Sequence, residues 1–234
     1  MPPQQPSAPG HPGPGGPPRR TGRLALIIGA SVTAVALLAT GGALVWNLSG
    51  SRPYADLPSC RRLLSSEFLD SMSETEGLRA EGEYEEGEDL ESRDQDDLIG
   101  YLWCDVEDGS EDVMSVSVNL LEYEDDGSAV EDIRDETEDF LEDLENGDWE
   151  EDLDTDLLDW ATTSVGDGGA LVLYEPGYFD EETVHGFASF STVNVVVTVF
   201  RVFDGDVDTE EAMAELDDLA DRVHRQLSRE SERA

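Results

Sequence analysis

The chain has 234 residues, with 56 Asp+Glu against 14 Lys+Arg, every one of the 14 an arginine, and a formal net charge of −42. That balance excludes a nucleic-acid binder, because phosphate contacts need clustered cations that release counterions. It also disfavours anionic lipid as a ligand of the folded part, and the length suits one soluble domain with accessories.

Residues 1–23 hold most of the 11 prolines and no acid. Pro and Gly at that density build neither a ladder nor a core, so a disordered tail is predicted there. Arg19, Arg20 and Arg23 then precede Leu24–Leu48, 25 residues without a charge. At about 1.5 Å per residue, a helix of that length crosses a hydrocarbon core of about 30 Å. The arginines in front and the acids behind place the N-terminus in the cytoplasm, and Trp46 suits the outer headgroup level. A signal peptide cleaved near Ala43 is the competing reading, although such signals usually have apolar regions of only about 7–15 residues. No lipobox cysteine is present, since Cys60 lies well past the run. The expectation is a single-pass cell-membrane protein held through residues 24–48. A linker over 49–56 leads to an extracellular domain over 57–234.

After residue 50 come all 56 acids and 11 arginines, a charge of −45. Apolar residues recur there at structural periods. Leu63, Leu64, Phe68 and Met72 predict a helix over Ser59–Met72, with Pro58 and Ser59 as starters. Glu74–Asp97 is dense in acids and reads as a polar loop or irregular strand pair. Ile99–Val106 reads as a strand. Met114, Val116, Val118 and Leu120 alternate with polar residues and predict a half-buried strand. Glu122–Gly127 makes an acidic turn. Val130, Ile133, Thr137, Phe140, Leu141 and Leu144 mark an amphipathic helix over Ala129–Leu144, left through Gly147.

Leu153, Leu157, Leu158 and Trp160 form a short apolar cluster. Gly166–Gly169 is a turn, Ala170–Tyr174 a buried strand, and Pro176-Gly177 a second turn. Gly186–Asn194 and Val195–Phe203 are rich in residues that favour sheet, and predict a hairpin turning near Thr192–Asn194. The last helix opens at Asp208, with Glu211 three residues on, the spacing of a capping box. Its stripe is Met213, Leu216, Leu219 or Ala220, Val223 and Leu227, and Glu210 and Glu211 early with Arg222, Arg225 and Arg229 late suit the helix dipole. The order predicts an α+β domain, a mostly antiparallel sheet packed with helices.

Three stretches resemble a known group. Leu57–Leu64 (LPSCRRLL) resembles the Pro-Cys-x-Leu-Leu opening of actinobacterial secreted lipoproteins and membrane-anchored sensor-like domains. Val165–Tyr174 (VGDGGALVLY) resembles their Gly-rich turn and strand, and Ser191–Val202 (STVNVVVTVFRV) the strand that follows. The group includes the extracellular sensor domain of a mycobacterial serine/threonine kinase. The resemblance implies a Mog1/PsbP-like α/β/α sandwich at the cell envelope, and no catalytic residues. Ser59 between Pro58 and Cys60, and the long acidic insertions, depart from the group's pattern. The group carries a cysteine at the start of the first helix and another in a following strand, where Cys60 and Cys104 stand. Outside the cell these two cysteines have one pairing open to them, a disulfide; two buried thiols are the alternative.

Other chemistry is weakly signalled. Asp204, Asp206 and Asp208 with Glu215 fall at positions 1, 3, 5 and 12 of a calcium loop. Thr209 replaces the turn-making Gly, and Asp208 already serves as a helix cap, so the site is a weak candidate. His11, His185 and His224 show no metal-ligand spacing. Gly166–Gly169 has no following Lys and is no phosphate loop, and a nucleophile elbow is missing. No cofactor and no catalytic residue are implied. The acid surplus reads as a solvating coat or as a surface for a basic protein or envelope component, and the spread of the acids favours the coat. The expected function is a membrane-anchored, non-catalytic extracytoplasmic domain for ligand or protein binding. The alternatives are a secreted or anchored enzyme and an acidic structural protein.

Overall fold

The computed structural model describes residues 52–72, 77–86, 97–109, 111–123, 128–148, 155–176, 183–204 and 207–234. The Pro-rich tail and the run Leu24–Leu48 lie outside these. Among the described residues, no helix is long and apolar enough to cross a membrane.

Alternation builds the centre of the sheet. In Glu111–Leu121 (β4), Val116, Val118 and Leu120 are buried while Ser117 and Asn119 point to the other side. Val195–Asp204 (β8) does the same with Val195, Val197 and Val199. The two strands pair antiparallel with Val118 opposite Val197. Arg79–Glu86 (β2), Leu98–Asp108 (β3), Thr155–Thr163 (β5), Gly168–Pro176 (β6) and Thr183–Thr192 (β7) complete an antiparallel sheet of seven strands, in the order β2-β3-β4-β8-β7-β6-β5. Tyr54–Asp56 (β1) and Glu232–Arg233 (β9) form a separate antiparallel pair. The domain is mixed α+β, dominated by antiparallel sheet with few helices, as the sequence predicts.

One face of the sheet, called inner here, carries the main core. It is covered by Cys60–Leu63 (α1), Ser66–Asp70 (α2) and the long final helix. The predicted single helix over Ser59–Met72 is therefore two. Leu64 leaves helical geometry, and the Ser65 hydroxyl accepts from Phe68 N–H to start a new first turn. Leu63, Leu64 and Phe68 are buried all the same.

On the opposite, outer face lies Ser128–Asn146 (α3). Its Leu144 is buried against Ala170 and Val172 of β6, with Phe140 and Leu141 packed alongside, so that α3 covers the β5–β6 side. The final helix, Thr209–Glu230 (α4), begins where Asp208 accepts from the N–H groups of Glu210 and Glu211. Leu216, Ala220, Val223 and Leu227 of its stripe are fully buried. Gln226 Nε2 donates to Arg62 O at 2.8 Å, and Arg222 Nη1 to Ser71 Oγ at 2.9 Å, which ties α1 and the end of α2 to α4. From the other side, Thr163 Oγ1 donates to Asp217 at 2.6 Å.

The β7–β8 hairpin turns through Val193 and Asn194, as predicted. Val193 has φ 57°, a sparsely populated region for a β-branched residue. Asp167 holds it there by accepting from Val193 N–H at 2.7 Å. Gly166 is required next to Asp167, because a Cβ would stand 2.2 Å from Ser191 O. The Gly166–Gly169 turn thus braces a hairpin.

Candidate functional site

The outer face is unevenly furnished. Its apolar cluster under α3 reaches Phe187 on β7 and ends there. Beyond Phe187, across β8, β4 and β3, the outward side chains change character. One row runs Phe187, Phe200, Ser115, Asp105, each opposite the next in the sheet. The neighbouring row runs Ser189, Thr198, Ser117, Trp103. Short hydroxyl side chains therefore form a floor between two aromatic walls. Adjacent strands lie about 4.8 Å apart, so this stretch is about 14 Å wide. The result is a groove of about 510 Å³, lined by Trp103, Ser117, Thr198, Phe187 and Phe200 among others.

The walls are positioned from behind. Phe140 of α3 meets the Phe187 ring with centroids 6.1 Å apart, and Tyr174 meets it edge-on at 6.3 Å. His185 stands edge-on to Phe200 at 5.3 Å and to Tyr174 at 5.6 Å. Burial lowers the His185 imidazole below its ordinary value, so this ring is neutral at neutral pH. The far wall is Trp103, 41% exposed, whose Nε1 donates to Asp105 Oδ2 at 2.7 Å. That bond satisfies the indole and fixes the ring at the rim.

Among the described residues, the charge lining this groove has one sign. Asp105 and Asp112 are the charged side chains that line it. On β2 the exposed Glu81 and Glu83 stand opposite Asp105 and Trp103 and extend the acidic rim, which ends at the exposed Arg79 opposite Glu107. Arg201, the nearest arginine along β8, points away to the inner face, where its Nε lies 3.3 Å from Glu215 Oε1. Pocket, aromatic walls, hydroxyl floor and carboxylate rim can together hold a ligand that combines an apolar body with hydrogen-bond donors.

The residues singled out by sequence fall elsewhere. Cys60 and Cys104 form the disulfide, with Cα atoms 5.5 Å apart, joining α1 to β3 on the inner face. Gly82 on β2 leaves room for it, since a Cβ would stand 2.7 Å from Cys60 Sγ and 1.9 Å from Trp103 O. Of the weak calcium set, Asp208 caps α4 and Glu215 pairs with Arg201. Asp206 and the side chain of Asp204 lie outside the described residues. No metal-holding group of three or more His, Cys, Asp or Glu occurs among the described residues. His224 lies on α4, half-buried and edge-on to the core residue Phe190 at 5.9 Å.

Sequence reasoning passed over Trp103, Phe187 and Phe200. A signal was present in Ile99–Val106, where Tyr101 and Trp103 occupy one phase and Leu102, Cys104 and Val106 the other. A strand apolar in both phases must cover both faces, and here, among the described residues, a helix is pinned over the inner one alone. No protein-family model matches the chain, and no curated protein matches it.

Proposed function

We propose that the chain is a membrane-anchored extracytoplasmic domain that binds a ligand or protein at the cell envelope, without catalysis. The single observation that carries the binding reading is the groove between Trp103 and Phe187, furnished with aromatic walls and left uncovered by α3. The uncharged run Leu24–Leu48 behind three arginines supports the anchor, with the N-terminus cytoplasmic and the acidic domain outside. The disulfide agrees with an oxidising compartment. Helices packed on both faces of an antiparallel sheet support the finer fold reading, an α/β/α sandwich of the Mog1/PsbP kind. With it comes membership of the actinobacterial sensor-like group.

The test has two arms. In the first, the full-length chain stays with membranes through an alkaline wash, and protease added to intact cells removes the acidic domain. A soluble chain beginning after Ala43 overturns the anchor. In the second, a photo-crosslinking residue replaces Ser117 in the groove, or Glu211 on α4 as the control. Adducts specific to position 117 in the native envelope support binding, and equal labelling at both positions overturns it.

A further inference from the structure

We infer that the groove of the outer sheet face takes an arginine- or lysine-bearing segment of a basic polypeptide, a deepening that rests on the binding function proposed above. Three observations converge. The described charged side chains that line the groove are carboxylates, Asp105 and Asp112, and Glu81 and Glu83 continue the same sign along β2 as far as Arg79, opposite Glu107. The faces that flank them are aromatic, and a cation over an indole or phenyl ring is attracted by the ring's quadrupole. The floor between is hydroxyl, from Ser117 and Thr198 opposite each other, able to accept from guanidinium or ammonium N–H groups.

Asp105 is suited to a second partner. Trp103 Nε1 engages one of its oxygens, and a carboxylate has about four acceptor positions. An anionic ligand would face the Asp105 and Asp112 carboxylates with no arginine among the described lining residues. Beyond the groove, the −45 carried by residues 51–234 draws a basic partner towards this surface and sets a long-range field in its favour. A groove about 14 Å wide fits a polypeptide segment, whose apolar side chains would sit against Phe187 and Phe200.

The test is calorimetric titration of the full-length chain, at about 0.15 M salt, with the peptide acetyl-Leu-Arg-Leu-Arg-Leu-amide. The comparison peptide carries citrulline, a neutral isostere of arginine, at both positions. Four variants are titrated beside the parent. Asp105→Asn with Asp112→Asn removes charge and keeps an acceptor for the indole, and Trp103→Ala removes an exposed wall. Glu210→Gln with Glu211→Gln makes the same charge change on α4, across the sheet, and Phe200→Leu alters the other wall without exposing the core.

The expected result is binding of the arginine peptide that weakens about tenfold on citrulline substitution, about tenfold in the Asp105/Asp112 double variant and about fivefold in Trp103→Ala. The Glu210/Glu211 variant changes it less than about twofold, as expected for a distant exposed charge. Equal weakening by both double variants overturns the inference, because binding then follows bulk charge. Binding of the citrulline peptide at equal strength, lost in Trp103→Ala or Phe200→Leu, overturns it while leaving the ligand-binding reading intact. An uncharged glycan such as chitotriose displacing the arginine peptide from the groove with higher affinity overturns it in the same way. No binding of either peptide overturns it, and so does a sedimentation shift to a dimer that Trp103→Ala abolishes, which assigns the groove to a second copy.

Discussion

Asn194 and Tyr54, 140 positions apart, are bonded in both directions. Tyr54 N–H donates to Asn194 Oδ1 at 2.9 Å, and Asn194 Nδ2 donates to Tyr54 O at 3.2 Å. The same amide donates to Leu121 O at 2.8 Å. One buried side chain at a hairpin turn therefore satisfies the backbone of β1 and the end of β4.

Asn194→Ala takes this partner from three backbone groups, the buried Tyr54 N–H and C=O and the half-buried Leu121 C=O. At about 1–3 kcal/mol for each unsatisfied group, a loss of about 3 kcal/mol or more is expected. Asn194→Asp keeps an acceptor for Tyr54 N–H but sets a carboxylate oxygen against two carbonyls, and is expected to lose at least as much. Equilibrium urea unfolding checks both. A loss below about 1 kcal/mol in both variants would show that water replaces the amide.

Cys60–Cys104 closes a loop with a sequence separation of 44, a constraint expected to stabilise by about 3–4 kcal/mol. Changing both cysteines to Ser should lower stability by that amount. Gly82→Ala should be at least as damaging with the disulfide intact, since its Cβ meets backbone at Trp103 O as well as Cys60 Sγ. Thiol labelling of unfolded, unreduced protein should find neither cysteine free.

Alkaline pH acts on Tyr84. Burial, then the Asp56 and Glu86 charges and a hydrogen bond to Asp56, push its phenol up to about 12. The fold favours the neutral phenol, so its contribution is intact below the ordinary value of about 10 and is lost as pH rises from there through about 12. Urea midpoints should fall across that window, and Tyr84→Phe should flatten the fall. Equal slopes in parent and variant would refute the assignment.

Mild acid acts on the histidines in the opposite sense. Burial lowers His185 and His224; for His224, Asp221 and Asp167 oppose that shift while Arg233 and Arg225 add to it. Their neutral forms are favoured in the fold, so stability is present above about 6.5 and declines as pH falls through the lowered folded values. Melting temperature measured from about pH 7.5 to 5 should drop, and less so in His224→Gln.

Added salt should raise the melting temperature. The −45 of residues 51–234 is brought closer together by folding, and the screening length shortens from about 10 Å at 0.1 M to about 3 Å at 1 M. A melting temperature flat across that range would show that the acids are spaced well enough to be indifferent.

Local chemistry made much of this fold legible. Asp208, the stripe from Met213 to Leu227 and the late arginines each point to the same helix, and α4 follows them. The strict alternation of Met114–Leu120 places β4 in the same way. β5 was hidden because the register shifts between Leu157 and Asp159, so Leu158 is exposed and the apolar residues read as a cluster without a period. The break at Ser65 was hidden because Leu63, Leu64 and Phe68 keep a helical spacing across it. The groove was hidden for a non-local reason. Trp103, Thr198 and Phe187 lie on three different strands, and they form a site only because α3 stops short over β5, β6 and part of β7.

The pairing of β1 with β9 has a mechanical meaning. Tyr54 lies opposite Arg233, Ala234 N–H donates to Pro53 O at 2.9 Å, and the Arg233 guanidinium rests 3.4 Å over the Tyr54 ring. The ends of the two strands at Pro53 and Ala234 therefore lie at one corner of the domain. Tension applied between them opens the two strands like a zipper, one bond at a time, and the weak pair yields first. The load then arrives at the Asn194 clasp on Tyr54, while the seven-stranded sheet behind it is spared.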